Sequence, residues 1–193
     1  MDTRRKLNEA KYFLEALKRT QVDSEIYYIL SAFLNAWRSC LDIMLYDFNE
    51  YYSMGFTIDD EIKDAYFAAV AKALKKDDAL KFIKWWREKQ GILKNNPLWK
   101  KRILIVHRGY PPIRSYKIYV SGSGGTSSTI SGYIEPAEIV SGESVSPGSI
   151  SIQSGEFYFS DSPNQSIIDL CTQAYDEMKS IIEEAEKTFG IKL

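Results

Sequence analysis

The chain has 193 residues, of which 45% are hydrophobic and 13% are aromatic, and it carries a net charge of −1. This length and composition predict one domain with a buried core and exclude a disordered chain. No apolar run approaches the length that crosses a bilayer, and residues 1–6 lead into no signal segment. We therefore expect a cytoplasmic protein with no membrane partner.

The small net charge conceals an uneven distribution of charge along the chain. The net charge is −4 over residues 1–71, +11 over residues 72–117 and −8 over the remainder. A basic segment of this kind favours a polyanionic partner, because neutralising phosphates supplies most sequence-independent affinity for nucleic acid. The alternative is a solvated surface that acidic helices elsewhere in the fold balance.

Apolar residues at helical spacing predict two helices at the start of the chain. The first covers residues 6–19. The second covers residues 26–48 and is the best defined, and residues 53–55 are predicted to end it.

Two shorter helices are predicted next. Thr57, with Asp60 three residues later, is expected to cap a third helix that runs to about Lys75. A fourth helix is expected to start at Asp77 and to stop at Gly91.

A fifth helix contains the one histidine of the chain, His107. Asn96 suits the N-cap, and Pro97 suits the first helical position, where its missing N–H has no cost. Residues 109–112, Gly-Tyr-Pro-Pro, are predicted to close this helix.

Serine and glycine become frequent between residues 113 and 160, and polar and apolar residues alternate there as in strands. The predicted strands cover residues 116–120, 130–134, 149–153 and 156–159. Residues 162–165 are expected to form a capping box before a last helix that Gly190 ends. The predicted fold class is mainly α, a helical bundle with a small antiparallel β insertion before the last helix, in a single domain over residues 1–193.

The cysteine and histidine content argues against a metal centre. Cys40 and Cys171 fall in apolar helical patterns, where a free cysteine is usually a small core residue. With one histidine and no paired cysteines, a zinc site is disfavoured and no cofactor is expected.

Arg102 and His107 form the most informative pair in the basic segment. RNA cleavage without a metal needs a group that transfers protons near neutral pH, which suits histidine. It also needs a fixed positive charge for the phosphorane, which suits arginine. A single histidine cannot readily act as base and acid in one step, so a second copy of the chain is expected to complete the site. Five residues of helix place the two side chains about 140° apart, an angle that the length of arginine can bridge.

Other polar residues are candidates for supporting roles. Asn35, Arg38 and Asp42 form a polar stripe on the second helix, and Asp42 would orient Arg102 or His107. The alternative is a surface ion pair between Arg38 and Asp42.

Lys100, Lys101 and Arg108 would hold the RNA backbone, and Tyr110 would stack on a base. The alternative for these four residues is a solvated helix face.

The amphipathic segment Ser-Ala-Phe-Leu-Asn-Ala-Trp-Arg-Ser-Cys-Leu-Asp over residues 31–42, followed by Arg102-x4-His107, resembles a HEPN domain. The resemblance covers residues 1–110 and 162–193 but not the β insertion. It implies a helical bundle that is commonly dimeric and, in many members, a metal-independent endoribonuclease of toxin–antitoxin, CRISPR or antiviral systems. Arg102 and His107 would then be the catalytic pair, with RNA as substrate and an antitoxin or other protein as a further partner.

Two other functional classes stay open. Some HEPN domains are non-catalytic modules that dimerise or dock on a protein, and Ile103, where the family often has a polar residue, favours this alternative. A small-molecule-binding bundle rests only on the aromatic content.

Overall fold

The computed structural model describes residues 2–20, 23–57, 59–108, 113–121, 127–133, 149–153, 157–159, 161 and 165–193. Its helices are α1 (Thr3–Arg19), α2 (Asp23–Tyr52), α3 (Asp64–Ala73), α4 (Asp77–Lys94), α5 (Pro97–Arg108) and α6 (Ile167–Phe189). Its strands are β1 (Ile113–Ser121), β2 (Ser127–Tyr133), β3 (Ser149–Gln153) and β4 (Phe157–Tyr158). The described chain is mainly helical with its strands between α5 and α6, which confirms the predicted fold class.

Helix α2 lies at the centre of the bundle and contacts each of the other five helices. Its long apolar face is buried, as the spacing of its large side chains predicts. Trp37 is fully buried and donates a hydrogen bond from Nε1 to the Ala174 carbonyl on α6, at 2.8 Å. Phe48 stacks on Phe82 of α4, with ring centroids 3.6 Å apart. The core therefore runs the length of α2, and the neighbouring helices are positioned against it.

The sheet is built around β1, which pairs antiparallel with β2 on one side and with β3 on the other. The first two residues of β1 pair instead with β4. Phe157 and Phe159 are buried in the bundle core. This apolar pair ties the β insertion to the helices.

The predicted cap at Thr57 is wrong, because α3 begins at Asp64. The Asp60 carboxylate does accept hydrogen bonds from the Thr57 N–H and hydroxyl, at 2.6 and 2.9 Å. The Asp60 carbonyl, which a continuing helix would bond to the Asp64 amide, accepts instead from the Tyr46 hydroxyl at 2.6 Å. A single turn forms, and α2 holds it in place.

The predicted stop at Gly91 is also wrong, since α4 continues to Lys94. Glycine inside a helix costs about 1 kcal/mol relative to alanine. Leu93, in the turn after Gly91, is fully buried and favours continuation of the helix. Gly190, in contrast, takes the left-handed φ of +67° at the end of α6, as predicted.

Helix α6 begins later than predicted. Ser166 is its N-cap, and the Ser166 hydroxyl accepts from the Asp169 amide at 3.1 Å. Of the residues proposed to form a capping box, 162–164 lie outside the described residues.

The two cysteines are confirmed as core residues, because Cys40 and Cys171 are both fully buried. Burial raises the pKa of the Cys40 thiol to about 12 and also raises the pKa of Cys171. Neither thiol ionises near neutral pH. None of the described helices has the combined length and apolarity that crossing a bilayer requires.

Candidate functional site

Several side-chain contacts join helices α2 and α5, and three of them show how the two helices are oriented. These contacts pair Tyr27 with Ile105, Asn35 with Arg102 and Arg38 with Trp99. From one contact to the next, the residue number on α2 increases while the residue number on α5 decreases. The two helices therefore run antiparallel. We call the surface formed by Asn35, Arg38, Asp42, Trp99 and Arg102 the α2/α5 face.

The sequence of α5 explains why Arg102 lies at this surface. Leu98, Lys101 and Ile105 follow the i, i+3, i+7 spacing of one helical face, and all three are buried. Trp99 and Arg102 each follow one residue later and are partly buried at the edge of that face. Asn96 caps the helix as predicted, because its side-chain oxygen accepts from the Leu98 amide at 2.9 Å.

Arg102 is a half-buried cation that no described carboxylate neutralises. Its Nη2 donates to the Asn35 side-chain oxygen at 3.2 Å. Its Nε is buried and has no hydrogen-bond partner among the described residues. No carboxylate of the described residues lies within 4.0 Å of the guanidinium. Burial and the nearby charge of Arg38 lower the pKa of Arg102, and the charge of Asp42 opposes this shift. The guanidinium is oriented by a neutral amide and keeps unused donors, which is an arrangement suited to an anion.

Arg38 is held in place on both sides. Its Nη1 lies 2.7 Å from a carboxylate oxygen of Asp42, and its guanidinium lies 4.6 Å from the Trp99 ring centroid. The edge of Trp99 in turn meets Trp37, at 6.0 Å between centroids. The alternative of an Arg38–Asp42 ion pair is therefore the arrangement present, and Asp42 influences Arg102 only through its charge.

Lys101 does not lie on the surface where a role in holding RNA would place it. Only 6% of the residue is exposed, and its ammonium pairs with the Asp161 carboxylate and lies 4.4 Å from the Phe159 ring centroid. This pair fastens the segment after β4 to α5. The prediction that Lys101 contacts phosphate does not agree with this position.

Removing Asp161 is expected to destabilise the fold more than removing Lys101. Asp161→Ala leaves a buried ammonium without this carboxylate, and we expect the free energy of unfolding to fall by about 2 kcal/mol. Lys101→Met leaves an exposed carboxylate that water solvates, and we expect a fall below about 1 kcal/mol. Urea denaturation of both variants tests this order, and equal losses would contradict it.

The remaining candidates lie toward the exposed side and the end of α5. Lys100 is exposed, and 49% of Ile103 is exposed. His107 and Arg108 occupy the last turn of α5, but their side chains lie outside the described part of the structure. Tyr110 lies outside the described residues altogether. Position 107 follows Lys100 by seven residues and Ile103 by four, so these three positions share a helical face.

Tyr27 and Trp99 contribute to this region, although the sequence analysis gave them no role. The Tyr27 hydroxyl donates to the Ile105 carbonyl at 2.6 Å. That carbonyl is one of the last four of α5, which have no partner within the helix. Tyr27 therefore stabilises the turn that contains His107. Trp99 lies three residues before Arg102, and this spacing could have predicted that the two side chains share a face of α5.

Part of the positive charge in the basic segment is taken up by contacts within the fold. Arg87 pairs with Asp64, and Lys89 with Glu184. The ammonium of Lys76 contacts the Tyr52 carbonyl. The net charge of +11 therefore overstates the charge open to a partner, and Arg102 is the more specific feature.

Within the described ranges, no cluster of three or more His, Cys, Asp or Glu side chains could hold a metal ion. No family model, curated protein or solved structure matches the chain. The chemistry of the α2/α5 face is therefore the guide to function.

Proposed function

We propose that the chain binds RNA through the α2/α5 face and cleaves it as a metal-independent endoribonuclease of the HEPN type. The observation that carries the proposal is Arg102, a partly buried guanidinium whose buried Nε has no hydrogen-bond partner, and no carboxylate ion pair, among the described residues. Leaving such a charge uncompensated costs stability, and active sites are where such costs concentrate. A phosphate oxygen is the ligand that supplies the missing acceptor and counter-charge.

In this proposal the two motif residues have different tasks. Arg102, which Asn35 orients, donates to the phosphorane oxygens as negative charge develops on them. His107 transfers a proton to or from the reacting oxygens. The second proton transfer needs another histidine, so the composite site forms between two copies of the chain related by a two-fold axis.

The exposed side of α5 supports such a dimer. Ile103 offers a half-exposed apolar side chain on the helical face that also contains position 107. A second copy packed there would bring the two histidine-bearing turns together.

Cleavage of a mixed-sequence RNA in excess EDTA tests the proposal. We expect wild type to cleave the RNA. The cleavage rate is expected to fall about a hundredfold or more in His107→Ala and in Arg102→Ala, which is the usual effect of removing one group that stabilises an oxyanion. Arg87→Ala is the matched control, because it removes an arginine of the same segment whose ion pair with Asp64 is exposed. Circular dichroism and sedimentation establish that each variant is folded and has the oligomeric state of wild type.

Activity that disappears on adding EDTA, or that survives in both motif variants, would contradict the proposal. Absence of cleavage in wild type would favour the second candidate function, a non-catalytic module that dimerises or docks on an acidic protein. The exposure of Ile103 is the observation that favours this candidate. Nucleic acid that copurifies with the protein and is released by high salt would then indicate RNA binding, as distinct from protein docking.

A further inference from the structure

The polar stripe on α2 extends farther toward the N-terminus than residues 35–42. Tyr28 and Ser31 precede Asn35 by seven and four residues, so they lie on the same helical face. Tyr28 is about 10 Å along the helix axis from Asn35, given a rise of 1.5 Å per residue. Tyr28 therefore extends the α2/α5 face by an exposed aromatic side chain at the N-terminal end of α2.

Tyr28 is among the most exposed large side chains described, with 70% of its surface open. Its position is nevertheless supported. The ring meets Tyr27 edge to face, with centroids 5.6 Å apart and an interplanar angle of 78°. Tyr27 is itself fixed by its hydrogen bond to the Ile105 carbonyl. One neighbour thus buttresses the Tyr28 ring, and most of the ring remains open to solvent.

Single exposed tyrosines are common on protein surfaces and need no special explanation. Tyr28 differs because it shares a helix face with Asn35, which accepts a hydrogen bond from Arg102, an arginine with no carboxylate partner among the described residues. Single-stranded nucleic acid is bound by this combination of a cation for the backbone and an aromatic ring for the base.

We propose that Tyr28 stacks on an unpaired base of the RNA whose phosphate lies at Arg102. This inference rests on the proposed function and narrows its substrate class to single-stranded RNA. In a duplex both faces of each base are already stacked on neighbours, so an exposed tyrosine finds no free base face. Stacking needs the aromatic ring and not the hydroxyl, so phenylalanine is expected to replace Tyr28.

Binding of a fluorescent 2′-O-methyl RNA, which lacks the attacking hydroxyl, measures stacking without cleavage. We expect Tyr28→Ala to bind the single strand about tenfold more weakly than wild type, within the usual effect of removing one stacking residue. Tyr28→Phe is expected to bind within about twofold of wild type. The matched control is Tyr12→Ala on α1, because Tyr12 is also 70% exposed and rests edge to face on Phe13. We expect this control to bind as wild type does.

The duplex form of the same sequence completes the test. Wild type is expected to bind it more weakly, and Tyr28→Ala to have no further effect on it. If Tyr28→Ala binds the single strand as well as Tyr12→Ala, while Arg102→Ala binds it poorly, stacking is overturned and the proposed function stands. If Tyr28→Ala weakens both RNA forms equally, the single-strand specificity is overturned. If wild type binds neither form, the proposed function and this inference both fail.

Discussion

Replacing Arg102 with methionine is expected to leave the fold at least as stable as wild type while abolishing RNA cleavage. The substitution removes a half-buried charge and a buried Nε that has no partner in the described chain. An unsatisfied buried polar group costs about 1–3 kcal/mol, so its removal offsets the lost hydrogen bond to Asn35. We expect the free energy of unfolding to stay unchanged or to rise by about 1 kcal/mol, and the cleavage rate to fall about a hundredfold or more.

Arg4→Met is the matched comparison for stability. Arg4 donates from Nε to one carboxylate oxygen of Glu186 at 2.9 Å and from Nη2 to the other. This guanidinium is paired with a carboxylate, whereas Arg102 has no such pair within the described part of the chain. Urea denaturation of both variants should show a loss of up to about 1 kcal/mol for Arg4→Met and none for Arg102→Met. A loss for Arg102→Met that exceeds the loss for Arg4→Met would show that Arg102 is chiefly structural.

Trp37→Ala is expected to be the most damaging single change in the bundle. The side chain is fully buried, and its Nε1 satisfies the Ala174 carbonyl. Truncating a buried tryptophan typically costs about 3–5 kcal/mol, which is a large share of the stability of an ordinary domain. The ring also packs in a T-shaped arrangement with Trp99, and Arg38 lies over the Trp99 ring. The same variant is therefore expected to weaken RNA binding under conditions in which it remains folded.

Chemical denaturation gives the stability difference, and Tyr66→Ala is the control for loss of an aromatic ring. Tyr66 lies on α3 and is 59% exposed, so its removal should change the free energy of unfolding by less than about 0.5 kcal/mol. A loss below about 1 kcal/mol for Trp37→Ala would contradict the central role assigned to α2.

The sequence predicted best the elements in which local and tertiary preferences agree. Helix α2 has a continuous apolar face and is buried along it. Asn96 and Pro97 start α5 with a cap that depends on neighbouring residues only. Ser149–Gln153 alternates polar and apolar residues, and it pairs with β1 over the predicted range.

The errors arose where packing against other parts of the fold decides the local conformation. The Tyr46 hydroxyl donates a hydrogen bond to the Asp60 carbonyl and so prevents a helix from continuing after Thr57. Tyr46 and Asp60 are 14 residues apart in the sequence. Burial of Leu93 carries α4 past Gly91.

The candidate site shows the same division between local and distant determinants. Spacing alone placed Asn35 and Arg38 on one face of α2. No local pattern shows that Asn35 reaches Arg102 or that Lys101 turns inward to Asp161. These contacts depend on how α5 crosses α2 and on where the chain returns after the β insertion.

The inward position of Lys101 has a structural consequence. Lys101 precedes Arg102 in the chain, and its ammonium pairs with Asp161, which follows β4. Phe159, against the same ammonium, is part of the core. The segment that follows β4 is therefore joined to the α5 turn that contains Arg102 by an ion pair and a cation–π contact.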